Sequence, residues 1–429
     1  MKGEDKERGA NPQLDWDFPG EWIFEDLKGG GELLRVDVLG TQFAVRWGRS
    51  VTLEQQHSMR SAWSRCASTR DALIPPLAKE PTESLPFSAS VSYLSLMHDG
   101  GTFPLQAASF EELAENLTSR LTVAAILENA GEFMMLHACG VADLATGAVV
   151  ALVAKSGTGK TTAASVLAGT YGYVTDETVA IGPDGSVLPY PKPLSVKRGP
   201  GSPKHQVGPD ELGLQPAPPK PFIQSIVLLD RIELDRIDLN RVEPDQEAHQ
   251  EAHHEPTLRQ LPLADALLAL IPDSSSQAEI DEPLQSLCRL IDRVGGVWQV
   301  TYSEAADLTQ ALEPLFKKQR RSKPAWEARA AAAAAEAEAG EIPDGWIRRV
   351  EPLDAVAVEG DLLVMLESEI VRLSGIGPAI WDATASAVPL DQLAEQVGEV
   401  HGRPEDYRAA VAAAAGQLIA KSVLEQGGD

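Results

Sequence analysis

The stretch Ser156-Gly157-Thr158-Gly159-Lys160-Thr161-Thr162 packs two glycines, a lysine and four hydroxyls into a single turn. Polyphosphate binding needs several backbone N–H groups aimed at one anion, a helix start behind them, and a lysine that reaches the outer phosphates. Gly157 and Gly159 let such a turn curl inward, Lys160 carries the charge, and Thr161 offers a hydroxyl to Mg2+. The apolar run Val149–Val153 before the turn reads as a buried strand, and the alanine-rich run after it as a helix. Together they supply the setting that nucleotide binding requires. Ala154 departs from the pattern, because it stands where the first glycine is expected. A residue with a Cβ there must avoid the positive-φ conformation that glycine takes freely.

Acids come next. Thr175-Asp176-Glu177 closes a second strand-like run, at the kind of strand end where ligands gather in α/β folds. A carboxylate there can accept a proton from an attacking hydroxyl or hold Mg2+. Asp230, closing Ile226-Val227-Leu228-Leu229, resembles the acidic end of a Walker B strand and is a further candidate for Mg2+; the alternative is a solvated strand-end acid. His137 precedes a small-residue turn, and its spacing alone leaves it structural. Lys192, Lys197 and Arg198 read either as cations facing the phosphates or the acceptor, or as ordinary loop cations. His249, His253 and His254 lie in an acidic, polar run without cysteine, so a metal cluster is not expected there.

The elements that must position these groups follow from periodicity. Residues 1–16 are polar and read as a disordered tail. Residues 17–130 read as a mixed α/β region, with alternating strands about Gly40 and a helix from residue 110 capped by Ser109. Strands and helices then alternate over 131–318, as expected for an α/β nucleotide-binding core. The Ala/Glu-rich stretch 319–345 reads as a linker, and 346–426 as a small winged-helix-like domain of three strands plus three helices.

Bulk composition narrows the function. The chain has 429 residues and a formal net charge of −26, which argues against nucleic acid or an anionic membrane as partner. The basic residues of the tail domain (Arg348, Arg349, Arg372, Arg403, Arg408 and Lys421) are scattered among acids, so DNA recognition is not expected despite the winged-helix pattern. Three widely spaced cysteines suggest neither a disulfide framework nor a metal site. The N-terminus lacks a signal-peptide core, and no apolar run approaches the ~20 residues needed to cross a bilayer, so a cytoplasmic location is expected.

Taken together, residues 131–318 resemble the catalytic domain of the HPr kinase/phosphorylase family and its shorter kinase relatives. The matching features are His137 in Leu-His-Ala-Cys-Gly, the Ser-Gly-x-Gly-Lys-Thr loop at Ser156–Thr161, the acidic pair Asp176-Glu177, and the Pro-Lys-Pro-Leu-Ser segment at 191–195. The resemblance implies ATP as nucleotide, Mg2+ as metal and a hydroxyl as phosphoryl acceptor. Either Asp176 or Glu177 would act as base, with His137 near the transferred phosphate. The usual pair is Asp-Asp, so Glu177 is a departure. No counterpart appears of the stretch with which HPr kinases grip their protein substrate, so HPr itself is not the expected acceptor. Relatives of this kind are often homo-oligomers. Residues 346–426 resemble a PqqD-like domain, the recognition element that binds leader peptides of ribosomally made peptide products. The matching features lie in Asp361–Ala383 and in Val388-Pro389-Leu390-Asp391-Gln392-Leu393, with Ser374 where the family pattern has Asn. That resemblance implies a peptide substrate or leader peptide added as a strand to the edge of a three-stranded sheet. Two other readings stay open: a nucleotide-binding regulatory or scaffold protein without transfer, and a kinase acting on free serine or a similar small molecule.

Overall fold

The computed structural model describes residues 33–68, 85–94, 101–155, 159–197, 199, 203–232, 255–317, 325–329, 341–367 and 369–428. The N-terminal residues 1–16, most of the 319–345 stretch, Arg198 and the three histidines of the acidic run lie outside this set.

The chain is α/β, with a mixed parallel and antiparallel sheet at its centre. Ahead of that sheet, strands β1 (Leu34–Val38), β2 (Thr41–Trp47), β3 (Phe87–Tyr93) and β4 (Thr102–Ala107) form an antiparallel meander in sequence order. Leu39 and Gly40 both take positive φ at the first hairpin, as a tight two-residue turn demands. Helix α1 (Leu53–Ala62) starts with a capping box between Thr52 and Gln55, and α2 (Phe110–Glu128) is capped by Ser109 as its sequence suggests. Leu113, Leu117 and Leu121, spaced along one side of α2, bury against the meander.

The central sheet has seven strands in the order β13 (Gln215–Pro216), β8 (Gly172–Thr175), β6 (Ala138–Ala142), β7 (Ala148–Val153), β14 (Phe222–Arg231), β17 (Val297–Tyr302) and β15 (Thr257–Gln260). Strand β7 is buried throughout, which explains its unbroken apolar run. It pairs in parallel with β14, which pairs in parallel with β17, while β6 runs antiparallel to both β7 and β8. The C-terminal ends of β7, β8, β14 and β17 therefore all emerge at one edge of the sheet. One face packs on α3 (Lys160–Leu167) and α6 (Leu308–Leu312), and the other on α4 (Leu263–Leu270) and α5 (Pro283–Val294). A small second sheet of β10 (Val187–Leu188), β9 (Val179–Ile181), β5 (Met134–Leu136) and β16 (Ser274–Ser275) flanks the site edge.

The tail differs in detail from three strands plus three helices. Strands β20 (Asp354–Val358), β21 (Asp361–Met365) and β22 (Ile370–Leu373) form the expected antiparallel unit, followed by helices α7 (Gly377–Ala383), α8 (Leu390–His401) and α9 (Tyr407–Ala420). A fourth strand, β18 (Trp326–Ala328), comes from the stretch read as a linker and pairs with β20. A separate three-stranded sheet joins β19 (Trp346–Arg349) to β23 (Val388–Pro389) and β24 (Leu424–Gln426). The reason is physical: an aromatic residue inside a low-complexity run gains apolar cover and a partner, since the Trp326 indole N–H donates to Asp292 on α5 at 2.8 Å.

The tail is not held by a tether alone. Val356, Val358, Leu363 and Met365 share one hydrophobic cluster with Leu284, Leu287, Cys288 and Ile291 of α5. Asp354 accepts hydrogen bonds from the backbone and the side-chain amide of Gln285, both at 2.9 Å.

Candidate active site

Helix α3 begins where the glycine-rich turn ends. Gly159 precedes it with φ 100°, a left-handed conformation that a residue with a Cβ would strain to adopt. Ala163, Ala164 and Leu167 anchor the helix against β6 and β7, so its start is fixed at the sheet edge. Lys160 is largely buried, and its ammonium donates to the backbone carbonyl of Ala154. Burial draws Lys160 below the usual lysine range, while Asp273, Glu177 and Asp176 oppose that shift. Ser156, Gly157 and Thr158 lie outside the described residues; Thr162 is exposed in the first turn of the helix. Ala154 is buried and takes no positive φ, so its Cβ imposes no backbone strain.

The acids sit two strands away. Thr175 ends β8, and its hydroxyl accepts from the backbone N–H groups of Glu177 and Thr178, folding the chain into a fixed turn. That turn places Asp176 against α3, where Thr161 Oγ1 donates to Asp176 Oδ2 at 3.0 Å. Asp176 Oδ1 accepts from the Tyr173 hydroxyl at 3.0 Å and pairs with the Lys192 ammonium at 2.8 Å. Burial, reinforced by the Asp176 charge, pushes the Tyr173 phenol well up, so it stays protonated and donates. Lys192 is buried in the Pro-Lys-Pro-Leu-Ser segment and also pairs with Glu177 Oε2 at 3.2 Å. Burial works against its charge, but Asp176 and Glu177 more than offset that and raise its pKa.

The two acids are thus unequal. Asp176 is only 5% exposed and both its oxygens are engaged. The Glu177 side chain keeps 29% of its surface in solvent. Its Oε2 also accepts from Thr122 of α2 at 3.4 Å, and Thr122 in turn lies 2.8 Å from the Tyr190 hydroxyl. The N-terminal region therefore touches the acidic turn.

His137 faces the same cluster from the start of β6. Its backbone N–H donates to the Asp273 carbonyl at 2.6 Å, while the Ala138 N–H donates to the Glu177 carbonyl at 3.1 Å. Burial first, and then the Lys160 charge, lower the His137 pKa, so the ring is neutral near pH 7.

Lys160, Thr161, Asp176, Glu177 and His137 are brought together; Asp230 is not. Its Oδ2 accepts from the Gln299 amide at 2.7 Å and from the Thr301 hydroxyl at 3.1 Å, both on β17. Strand alternation explains this. Leu228 shares the Asp230 side of β14 and packs toward α4 and α5, whereas Val227 and Leu229 face α3. The next residue on the α3 side is Arg231. Sequence reasoning missed Tyr173, Asp273 and Arg231. Asp273 comes from tertiary pairing and left no local signal, whereas Tyr173 lies three residues before the Asp176 it bonds, a spacing the sequence displayed. The unbroken apolar run of β14 did not tell which face Arg231 takes.

Among the described residues no group of three or more His, Cys, Asp or Glu side chains is arranged to hold a metal ion alone, and no helix is long and apolar enough to cross a membrane. All three cysteines are buried, and burial pushes their thiols up to about 12, away from thiolate chemistry. Compared with family models and with curated proteins, the chain matches none.

Proposed function

We propose that the chain is an ATP-dependent kinase of the HPr-kinase-like P-loop class, transferring the terminal phosphoryl group of ATP to a hydroxyl. The observation that carries this reading is the hydrogen bond from Thr161, one residue past the loop lysine, to the buried Asp176 carboxylate. Beside that pair Glu177 is a second acid that reaches solvent, placed to accept a proton from an attacking hydroxyl. A hydroxyl next to a carboxylate at a helix start is also a donor set suited to Mg2+, a hard cation that takes one or two protein oxygens and completes its shell with phosphates. Thr161 and Asp176 would hold it; when bound it neutralises charge on the phosphates.

In this reading the loop amides and Lys160 hold the outer phosphates, and Glu177 accepts the proton of the acceptor hydroxyl. The acceptor oxygen bonds to phosphorus as the bond to the bridging oxygen of ADP breaks, so a phosphate ester, ADP and a protonated Glu177 result. Lys192 keeps both acids aligned. Neutral His137 sits beside Lys160 as a hydrogen-bonding group rather than a competing cation.

The acceptor we propose is a peptide captured by the tail. Strand β18 covers the β20 edge of the tail sheet, while β22 is the terminal strand on the other side and, among the described residues, pairs only with β21. An extended leader peptide can add there through backbone hydrogen bonds.

Incubating the chain with γ-labelled ATP and either hydroxyl-bearing peptides or free serine tests the proposal. Label on a peptide supports it. Label on serine alone moves the acceptor to a small molecule, and nucleotide binding without any labelled product favours a switch. Lys160→Ala is expected to abolish turnover; activity equal to the parent would overturn the assignment.

A further inference from the structure

We propose that Arg231 is a second cation of the nucleotide site and holds the diphosphate that leaves when the terminal phosphoryl group is transferred. This rests on the kinase reading above. Arg231 is the last residue of β14, the strand beside β7, and its side chain falls on the α3 side of the sheet by alternation with Val227 and Leu229. Its Nη1 lies 4.0 Å from the point where a Cβ on Gly159 would be, at the very start of α3. The guanidinium is oriented by its Nε, which donates to the Ser303 carbonyl at 3.2 Å just beyond β17. Asp230 does not neutralise it, since that carboxylate is turned to the opposite face and bonded to Gln299 and Thr301. Among the described residues no carboxylate pairs with Arg231.

Arg231 is solvent-exposed, so water screens its charge in the free chain. The N–H groups of the helix start and Lys160 add positive charge nearby, and an anion bound there is attracted by all three. Arginine also suits phosphate, since its planar fork can donate two parallel hydrogen bonds.

Sheet order says which phosphates. The acids follow β8, which lies on one side of β7 beyond β6, and Arg231 ends β14 on the other side. In-line transfer puts the attacking and leaving oxygens on opposite sides of phosphorus. With the acceptor hydroxyl at Glu177, the leaving diphosphate lies toward β14, where Arg231 stands.

The test is equilibrium binding of ADP and of ATP to the full chain, compared with Arg231→Ala, Arg231→Lys and Arg231→Gln. Arg231→Ala is expected to weaken ADP and ATP alike, by about ten- to a hundredfold, the range for hydrogen bonds to charged groups. Arg231→Lys should recover part of that loss, and Arg231→Gln, which keeps a donor but no charge, should not. Thermal melting of each variant shows whether it is folded. If a folded Arg231→Ala binds ADP as the parent does, the inference is wrong, and weakening confined to ATP would place the guanidinium at the terminal phosphate and overturn it equally. A parent chain that binds neither nucleotide would remove the kinase reading itself. In that case the failure shows before any Arg231 variant is compared.

Discussion

Lys192 divides the work between the two acids. With Asp176 it forms an ion pair in which both side chains are only 3% exposed, so breaking the pair leaves a charge in the interior. Asp176→Asn is therefore expected to destabilise the fold by about 3–5 kcal/mol, measured by denaturant unfolding. Glu177→Gln should leave stability and nucleotide affinity nearly intact and lower kcat by about 10²–10⁴-fold, the usual contribution of a positioned base. An equal stability loss in both variants would refute this division. His137 adds a pH term. Its folded-state pKa is depressed below 6.5, so the unfolded chain binds the proton first as pH falls. The stability it contributes is complete above pH 6.5 and is lost as pH falls through the folded value. His137→Gln removes that titration, so the Tm difference between parent and variant should change between pH 7.5 and 5.5 and be flat above 7. Much of this cluster could be read from the chain, because the loop and the acidic pair are local patterns. Lys192 stood as one of three ambiguous cations, since only the fold puts it between the acids. Asp230 misled for the reason Arg231 was missed: an acid at a strand end says nothing about which face it points to.

At the scale of elements, the start of α3 turns on one glycine and one alanine. Gly159 needs its positive φ, whereas Ala154 has an ordinary backbone and offers only its carbonyl, to Lys160. Ala154→Gly therefore relieves no strain and is expected to change ATP affinity by no more than about twofold, as read by titration calorimetry. A large gain would mean that the loop changes conformation to bind. The seven-stranded sheet was legible only in part. Alternating strands and helices announced an α/β core, and the turn between two apolar runs fits the β6–β7 hairpin, but nothing announced that β5 and β16 would bring Asp273 to the site. Pairings between segments far apart in sequence leave no periodic trace. Short β18 was hidden by its surroundings, since three ordered residues in a biased stretch look like the rest of the linker.

The whole molecule is more tightly integrated than its sequence segments suggest. The tail sheet and α5 share apolar residues in one cluster, and Arg372 of β22 pairs with Asp265 of α4 at 3.0 Å. Asp354→Ala removes the acceptor for two Gln285 donors. We expect a loss of about 1–3 kcal/mol, and a single shifted unfolding transition rather than early melting of the tail alone. Two separated transitions in calorimetry would show that the tail and the core unfold independently. For the same reason, removing residues 346–429 does not merely subtract a peptide-binding unit. It uncovers the apolar side of α5, so loss of activity in that truncation would not by itself implicate peptide capture.

Strand β18 also bears on how the chain is made. Trp326 precedes its pairing partner Val358 by a long stretch of sequence, and synthesis proceeds from the N-terminus. The strand therefore leaves the ribosome well before any sheet exists to receive it, and the waiting side of α5 emerges earlier still. Until β20 and β21 follow, the nascent core carries both an unpaired backbone edge and an uncovered apolar helix. Premature termination before β20 would leave that unpaired edge and apolar helix permanently open.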